Sequence, residues 1–309
     1  MMFLLASALP VLFWAGANTT IPRLRQAGLT EIAVPPNSAE AWKSAEGIKV
    51  DVVELDKTVK LPAPSVDYRM NQASASRVPW VNSNGWRFMR QPGATFSYDV
   101  KGEAAALAAA EAFTFGSAAV LQTGEGGLAP LSAMLKFLRS LDAAQGPAFA
   151  DIGFVDDGSS HDAEVMNLLV RENLLFKIVR APEPDLKLMV QLGSNQYLST
   201  NPVELTRQIR ANLGDERRFM RIYGTSVVIA RATGRGRNQR LHLLNYGAGH
   251  RTIVGGFRVR LLGHYKAELH SFDAPEDHVL DYSSESNATE FTVPQLKTYA
   301  VVYLTPTQP

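Results

Sequence analysis

Apolar and polar positions along the chain follow two different periods. Up to residue 214, short β-branched or aromatic runs alternate with stretches whose apolar residues recur at helical spacing. Beyond it the apolar residues fall at every second position. In the first half the candidate strands are VLFW (residues 11–14), EIAV (31–34), KVDVVEL (49–55), PWV (79–81), TFSYD (95–99) and AAVLQ (118–122). Alanine dominance and a closing Gly116 mark 101–116 as a helix with its C-cap, and 126–146 reads as an amphipathic helix closed by glycine. Another helix opens after the first strand, with Asn18 or Thr19 as cap and Pro22 near the first turn. Strands joined by helices in this order predict an α/β fold, a parallel (β/α) barrel that is complete or shortened.

Residues 57–77 (KTVKLPAPSVDYRMNQASASR) read as a long irregular insert between the third and fourth strands, and inserts of this length are commonly functional. From Ala150 the pattern starts afresh: ADIGFVDDG, a helical stretch, FKIV and LMVQLG form a small βαβ unit. It either supplies the last barrel strands or stands alone as a flavodoxin-like domain. After a helix ending at Gly214, short strands at regular spacing predict an antiparallel β-sandwich. The expected domains are therefore 1–148, 149–214 and 215–309.

Composition narrows the chemistry. The 31 basic and 30 acidic residues nearly cancel, so no electrostatic footprint for nucleic acid appears. The basic run 231–240 reads as a solvated hairpin loop. The absence of cysteine excludes disulfides, thiolate metal sites and cysteine nucleophiles. Five of the six histidines lie at His242 or beyond with no paired spacing, so neither a metal nor another cofactor is expected. The first seventeen residues are apolar and end in a small-residue A-x-A pattern, Ala15 to Ala17, as a secretory signal would. No Lys or Arg precedes them, and 11–14 reads as a strand. A strand fused to the remains of an export signal, in a secreted or periplasmic protein, is the expectation. No segment is apolar for the roughly 18 residues that a membrane span requires.

Several stretches, taken in order, resemble bacterial glycoside-hydrolase-like proteins of the barrel, flavodoxin-like and β-sandwich type, of which the family 42 β-galactosidases are relatives. NGWRFMRQPG with AEAFTFGSAAVLQTGEGG resembles their late barrel strands. ADIGFVDDGSSHDAEVMNLLVRENLLFKIVRAPEPDLKLMV resembles their amidotransferase-like middle domain, and RLHLLNYGAGHRTIVGGFRVRLLGHY with EFTVPQLKTYAVVYL their sandwich. Family 42 enzymes carry an Asn-Glu pair at the end of a middle barrel strand; here Asn82 and Asn84 are followed by Ser83 and Gly85. The resemblance implies a protein acting on an oligosaccharide. The rival class is a non-catalytic carbohydrate-binding or assembly module, and a homo-oligomer is compatible with either.

Glycoside hydrolysis uses two carboxylates flanking the scissile bond, and barrel active sites lie at the carboxyl ends of the strands. Asp99, ending TFSYD, and Glu125, following AAVLQ, are the candidate pair, with Glu54 a third acid so placed. The alternative is that Asp99 caps the alanine-rich helix and Glu125 sits in a solvated turn. Trp14 and Trp86 can stack on a pyranose while Asn82, Asn84, Arg87 and Arg90 bond its hydroxyls; for Trp86 and Arg87 a packing role is an equal alternative, and Trp80 and Phe88 read as core. Asp67, Arg69 and Asn71 are candidate lid residues. Asp156 and Asp157 either hold a cation or a ribose or, as the more frequent case, satisfy the start of the following helix.

Overall fold

Short apolar runs buried on both faces form parallel strands, and this pattern builds the first sheet. β1 (Val11–Phe13) lies at its centre, flanked by β2 (Glu31–Val34) and then β3 (Lys49–Val52). The structure, a computed structural model, describes residues 9–70, 77–141, 146–181, 183, 185–250 and 252–308. Chain order continues through β4 (Val59–Leu61), β5 (Ser65–Met70), β6 (Arg77–Asn82), β7 (Thr95–Asp99) and β8 (Ala118–Gln122). The six-stranded sheet has the order β3-β2-β1-β8-β7-β4, with each neighbouring pair parallel. This is the cyclic order of a barrel opened between β3 and β4, which are the two edges. Among the described residues the barrel is therefore not closed.

The fourth strand differs from the sequence expectation. PWV belongs to β6, which pairs only with β5 in a separate two-stranded sheet. Pro79 cannot donate to a ladder and so suits an edge rather than the interior of a sheet. Val59–Leu61 takes the fourth place instead, inside the segment read as irregular; prolines at 62 and 64 disguise so short a strand. Likewise α1 (Ile21–Gln26) starts from Thr20, whose side chain caps no amide, and neither Asn18 nor Thr19 is its cap.

The helix α4 (Ala104–Thr114) is buried on nearly every side, which its alanines permit, and it packs on α5 (Glu125–Ser140). The described residues up to 65 and from 91 to 141 make one compact unit, and those of 66–90 and 146–308 make the other. No helix of the described residues is long and apolar enough to cross a membrane.

In the second unit, α3 (Gly85–Arg90) follows β6, and β9 (Ile152–Val155), α6 (Ser160–Arg171), β10 (Phe176–Val179) and β11 (Leu188–Gln191) form their own parallel sheet in the order β10-β9-β11. They do not extend the six-stranded sheet. After α7 (Pro202–Leu213), capped by the Asn201 side chain, come eight strands in two antiparallel sheets, as period two predicts. Inward residues of both sheets, among them Leu241, Leu243, Phe257, Val259, Phe291, Val293 and Val302, make one core. Buried polar contacts join this sandwich to the βαβ sheet: Asp151 accepts from the Phe219 amide at 3.0 Å, and Asn173 accepts from the Ala230 amide at 2.7 Å.

The sandwich also buries His242 completely, its Nδ1 2.7 Å from the Tyr299 hydroxyl and its Nε2 3.1 Å from that of Thr233. Burial drives the imidazole down to about 3, with Arg240 and Arg231 adding to the effect. A depressed folded-state value means stability that is full above the unfolded value near 6.5 and is lost as pH falls. Between pH 7 and pH 5 the protein is expected to lose about 2 kcal/mol through this group. Urea titrations at both pH values check it: His242→Gln should show a flatter dependence, and equal slopes would count against the assignment.

Candidate active site at the carboxyl end of the parallel sheet

Parallel strands bring their following loops to one end of the sheet, and three sequence-selected residues meet that condition. β7, β8 and β1 are neighbours in the sheet; Asp99 pairs with Gln122, and Leu12 with Leu121. Asp99 thus ends β7, Trp14 directly follows β1, and Glu125 opens α5 just beyond β8. Asp99 is exposed and, among the described residues, its carboxylate makes no hydrogen bond or ion pair. It does not cap α4, whose N-cap position is Glu103. Glu125 stands in the first turn of α5, where a negative charge suits the helix dipole. Gly127 shapes that turn, because a Cβ there would stand 1.9 Å from the Thr123 hydroxyl oxygen. Glu54 follows edge strand β3 and pairs with Lys57 at 2.7 Å.

Sequence reasoning missed Arg23, which links two of these residues. Its guanidinium is ion-paired with Glu125 and lies 5.8 Å from the centre of the Trp14 ring. The indole itself is fixed. Its Nε1 donates to the Thr20 hydroxyl at 2.8 Å, which in turn donates to the Ala17 carbonyl at 2.5 Å. A Cβ on Gly16 would stand 2.6 Å from that Nε1, so glycine lets the ring lie against the backbone. Nothing in one helical turn of sequence, RLRQ after a proline, singles out this arginine from Arg25.

The other candidates sit in the second unit, on β6 and α3. Asn82 donates to Asp67 on β5 at 2.8 Å, so a proposed lid residue does reach a proposed sugar contact. The side chain of Arg69 and all of Asn71 lie outside the described residues. Asn84 is fully buried and its side-chain oxygen accepts from Arg87 at 3.2 Å. The partly buried Trp86 ring has Arg87 at 4.3 Å and Arg90 at 5.6 Å from its centre. Arg90 grips Asp156 with two hydrogen bonds of 2.8 and 2.6 Å and donates to the Ser159 carbonyl at 2.8 Å. Phe88 is core, whereas Trp80 is half-buried beneath Arg171, 3.6 Å from its ring centre.

The acids after β9 serve the turn. Asp156 accepts from the Gly158 amide, Asp157 from that of Ser159, and Asp162 from that of Asp157, while Ser159 caps α6. Arg90 beside it, chiefly through hydrogen bonding, holds the Asp156 carboxyl below its ordinary value; burial pushes Asp162 up. Oxygens of the three acids lie within 4.8 Å of one another, but the Arg90 clasp and the amides account for that closeness. Truncating Trp86 to alanine is expected to cost about 2 to 3 kcal/mol, at the lower end for a partly buried tryptophan. A thermal melt and a glycan titration on the same variant separate packing from binding; a loss in stability with unchanged affinity would leave Trp86 a packing residue.

The fold resembles those of solved glycoside hydrolases at low sequence identity. Among solved structures it is similar to α-L-fucosidase isoenzyme 2 from Paenibacillus thiaminolyticus, with a TM-score of 0.52 at 10% identity, covering 70% of this chain and 61% of that one. An exo-carrageenase GH42 from Bacteroides ovatus aligns with a TM-score of 0.40 at 9% identity, over 84% of this chain and 48% of that chain. The chain thus spans less than two thirds of either neighbour's length. No family model and no curated protein matches it.

Proposed function

We propose that the chain acts on an oligosaccharide by a two-carboxylate mechanism, as a shortened relative of glycoside hydrolases of the family 42 type. The observation that carries this reading is the placement of Asp99 and Glu125 at the carboxyl ends of adjacent strands, beside a fixed, partly exposed tryptophan. Asp99, with no competing partner, is suited to proton transfer at the leaving oxygen. Glu125, ion-paired with Arg23, is the proposed nucleophile or base. Trp14 supplies a stacking face. Secretion to the periplasm or beyond accords with a glycan substrate. A panel of aryl glycosides tested on the purified chain, with Asp99→Asn and Glu125→Gln as controls, decides between hydrolysis and mere binding.

A further inference from the structure

We propose that Trp14, Arg23 and Glu125 form a subsite for an acidic saccharide, whose carboxylate or sulfate takes the Arg23 guanidinium over from Glu125; this rests on the carbohydrate reading above. Three observations lead there. First, the indole is held in place by Thr20 and the bare Gly16, so a sugar ring meets a surface that needs no ordering on binding. Second, Arg23 joins that ring to an open cleft of about 440 Å³ lined also by Gln26, Ala27, Glu125, Leu128 and Ala129. That is room for a small ligand, between the apolar Ala27, Leu128 and Ala129 and the polar Arg23, Gln26 and Glu125. Third, the Arg23–Glu125 pair is exposed, with 38% and 81% of the two side chains accessible.

Exposed pairs contribute little, so exchanging Glu125 for a ligand anion costs little. What the ligand gains is a planar donor fork that fits carboxylate and sulfate alike. A neutral sugar offers that fork only uncharged hydroxyl oxygens, a weaker match than the Glu125 carboxylate, and leaves the ion pair standing. Displacement also frees the Glu125 carboxylate, so occupancy of this subsite would release the group proposed to do chemistry. An acidic ring thereby opens its own way to Glu125, whereas a neutral one does not.

Calorimetric titration of the whole chain with a methyl glucuronide, a sulfated methyl galactoside, the two neutral parent glycosides and inorganic sulfate tests the assignment. Both acidic glycosides are expected to bind about tenfold more tightly than their neutral parents, the equivalent of one charge-assisted contact. Arg23→Gln should bring them down to the neutral level, and Glu125→Gln, which removes the competing anion, should tighten them further. Preference for only one acidic probe would identify the anion. Equal affinity for acidic and neutral probes overturns the subsite while sparing the carbohydrate reading. No binding of any glycoside overturns both, and sulfate alone binding as tightly as the sulfated sugar removes the role of Trp14.

Discussion

Arg90→Ala is expected to lower the stability of the second unit by about 3 kcal/mol, the low end for a broken charge pair, because it leaves a partly buried carboxylate without its cation. Arg90 and Asp156 are only 18% and 10% accessible, and the pair is bidentate. Removing the guanidinium leaves Asp156 the Gly158 amide and also breaks the tie to the Ser159 carbonyl, where α6 begins. The arginine also covers Trp86, so its aliphatic stem takes packing with it. Urea unfolding followed by tryptophan emission measures the cost. The double variant Arg90→Ala/Asp156→Ala should recover part of it, since no charge is then left unpaired, and Arg90→Lys should fall between, lacking the fork. The sign with pH follows: a carboxyl held below its ordinary value near 3.8 contributes stability above that value and loses it as acid protonates the group. A single variant within about 1 kcal/mol of the parent would show the clasp to be ornamental, as many surface pairs are.

That clasp shows where the sequence stops being readable. Arg90 and Asp156 are 66 positions apart, and each has a sensible local reading, one as a sugar contact and one as a helix-start acid. Only tertiary structure joins them. Legibility is high where a pattern repeats: in Val254–Leu262 and Tyr265–Ser271 buried and open positions alternate along much of the strand, whereas Val228–Arg235 and Asn238–Asn245 are buried at consecutive positions and read instead as apolar runs. The strands β1, β2, β7 and β8 were legible for another reason, being short runs whose central residues are buried on both faces. β4 was not, since three residues between a loop and two prolines carry almost no periodicity, and its burial shows only at Leu61. PWV looked the better strand because aromatic and β-branched residues outweigh a proline in any composition count, whereas in a ladder the missing donor decides. For the candidate site, strand ends located Trp14, Asp99 and Glu125, but Arg23 lay hidden in an unremarkable turn of α1.

Substituting either Asp99 or Glu125 is expected to remove most hydrolytic activity, each by about 10²- to 10⁴-fold, the usual contribution of a positioned acid or base. The two losses should differ in kind. Asp99→Asn keeps shape but cannot deliver a proton, so substrates with poor leaving groups should suffer most and activated aryl glycosides least. Glu125→Gln removes the negative charge that faces the anomeric centre, and no choice of leaving group should compensate. Because both residues are exposed, neither change should cost much stability, which keeps activity loss separable from misfolding. The stereochemical outcome, read from the anomer first formed, carries further information. Carboxylates about 5 to 5.5 Å apart imply retention, and about 6.5 to 9.5 Å inversion, so the product fixes the spacing in the working enzyme. Full activity in either variant would remove that residue from the mechanism. Full activity in both would leave the carboxyl end of β7 and β8 without a catalytic pair, and the sheet would then be a scaffold for binding alone.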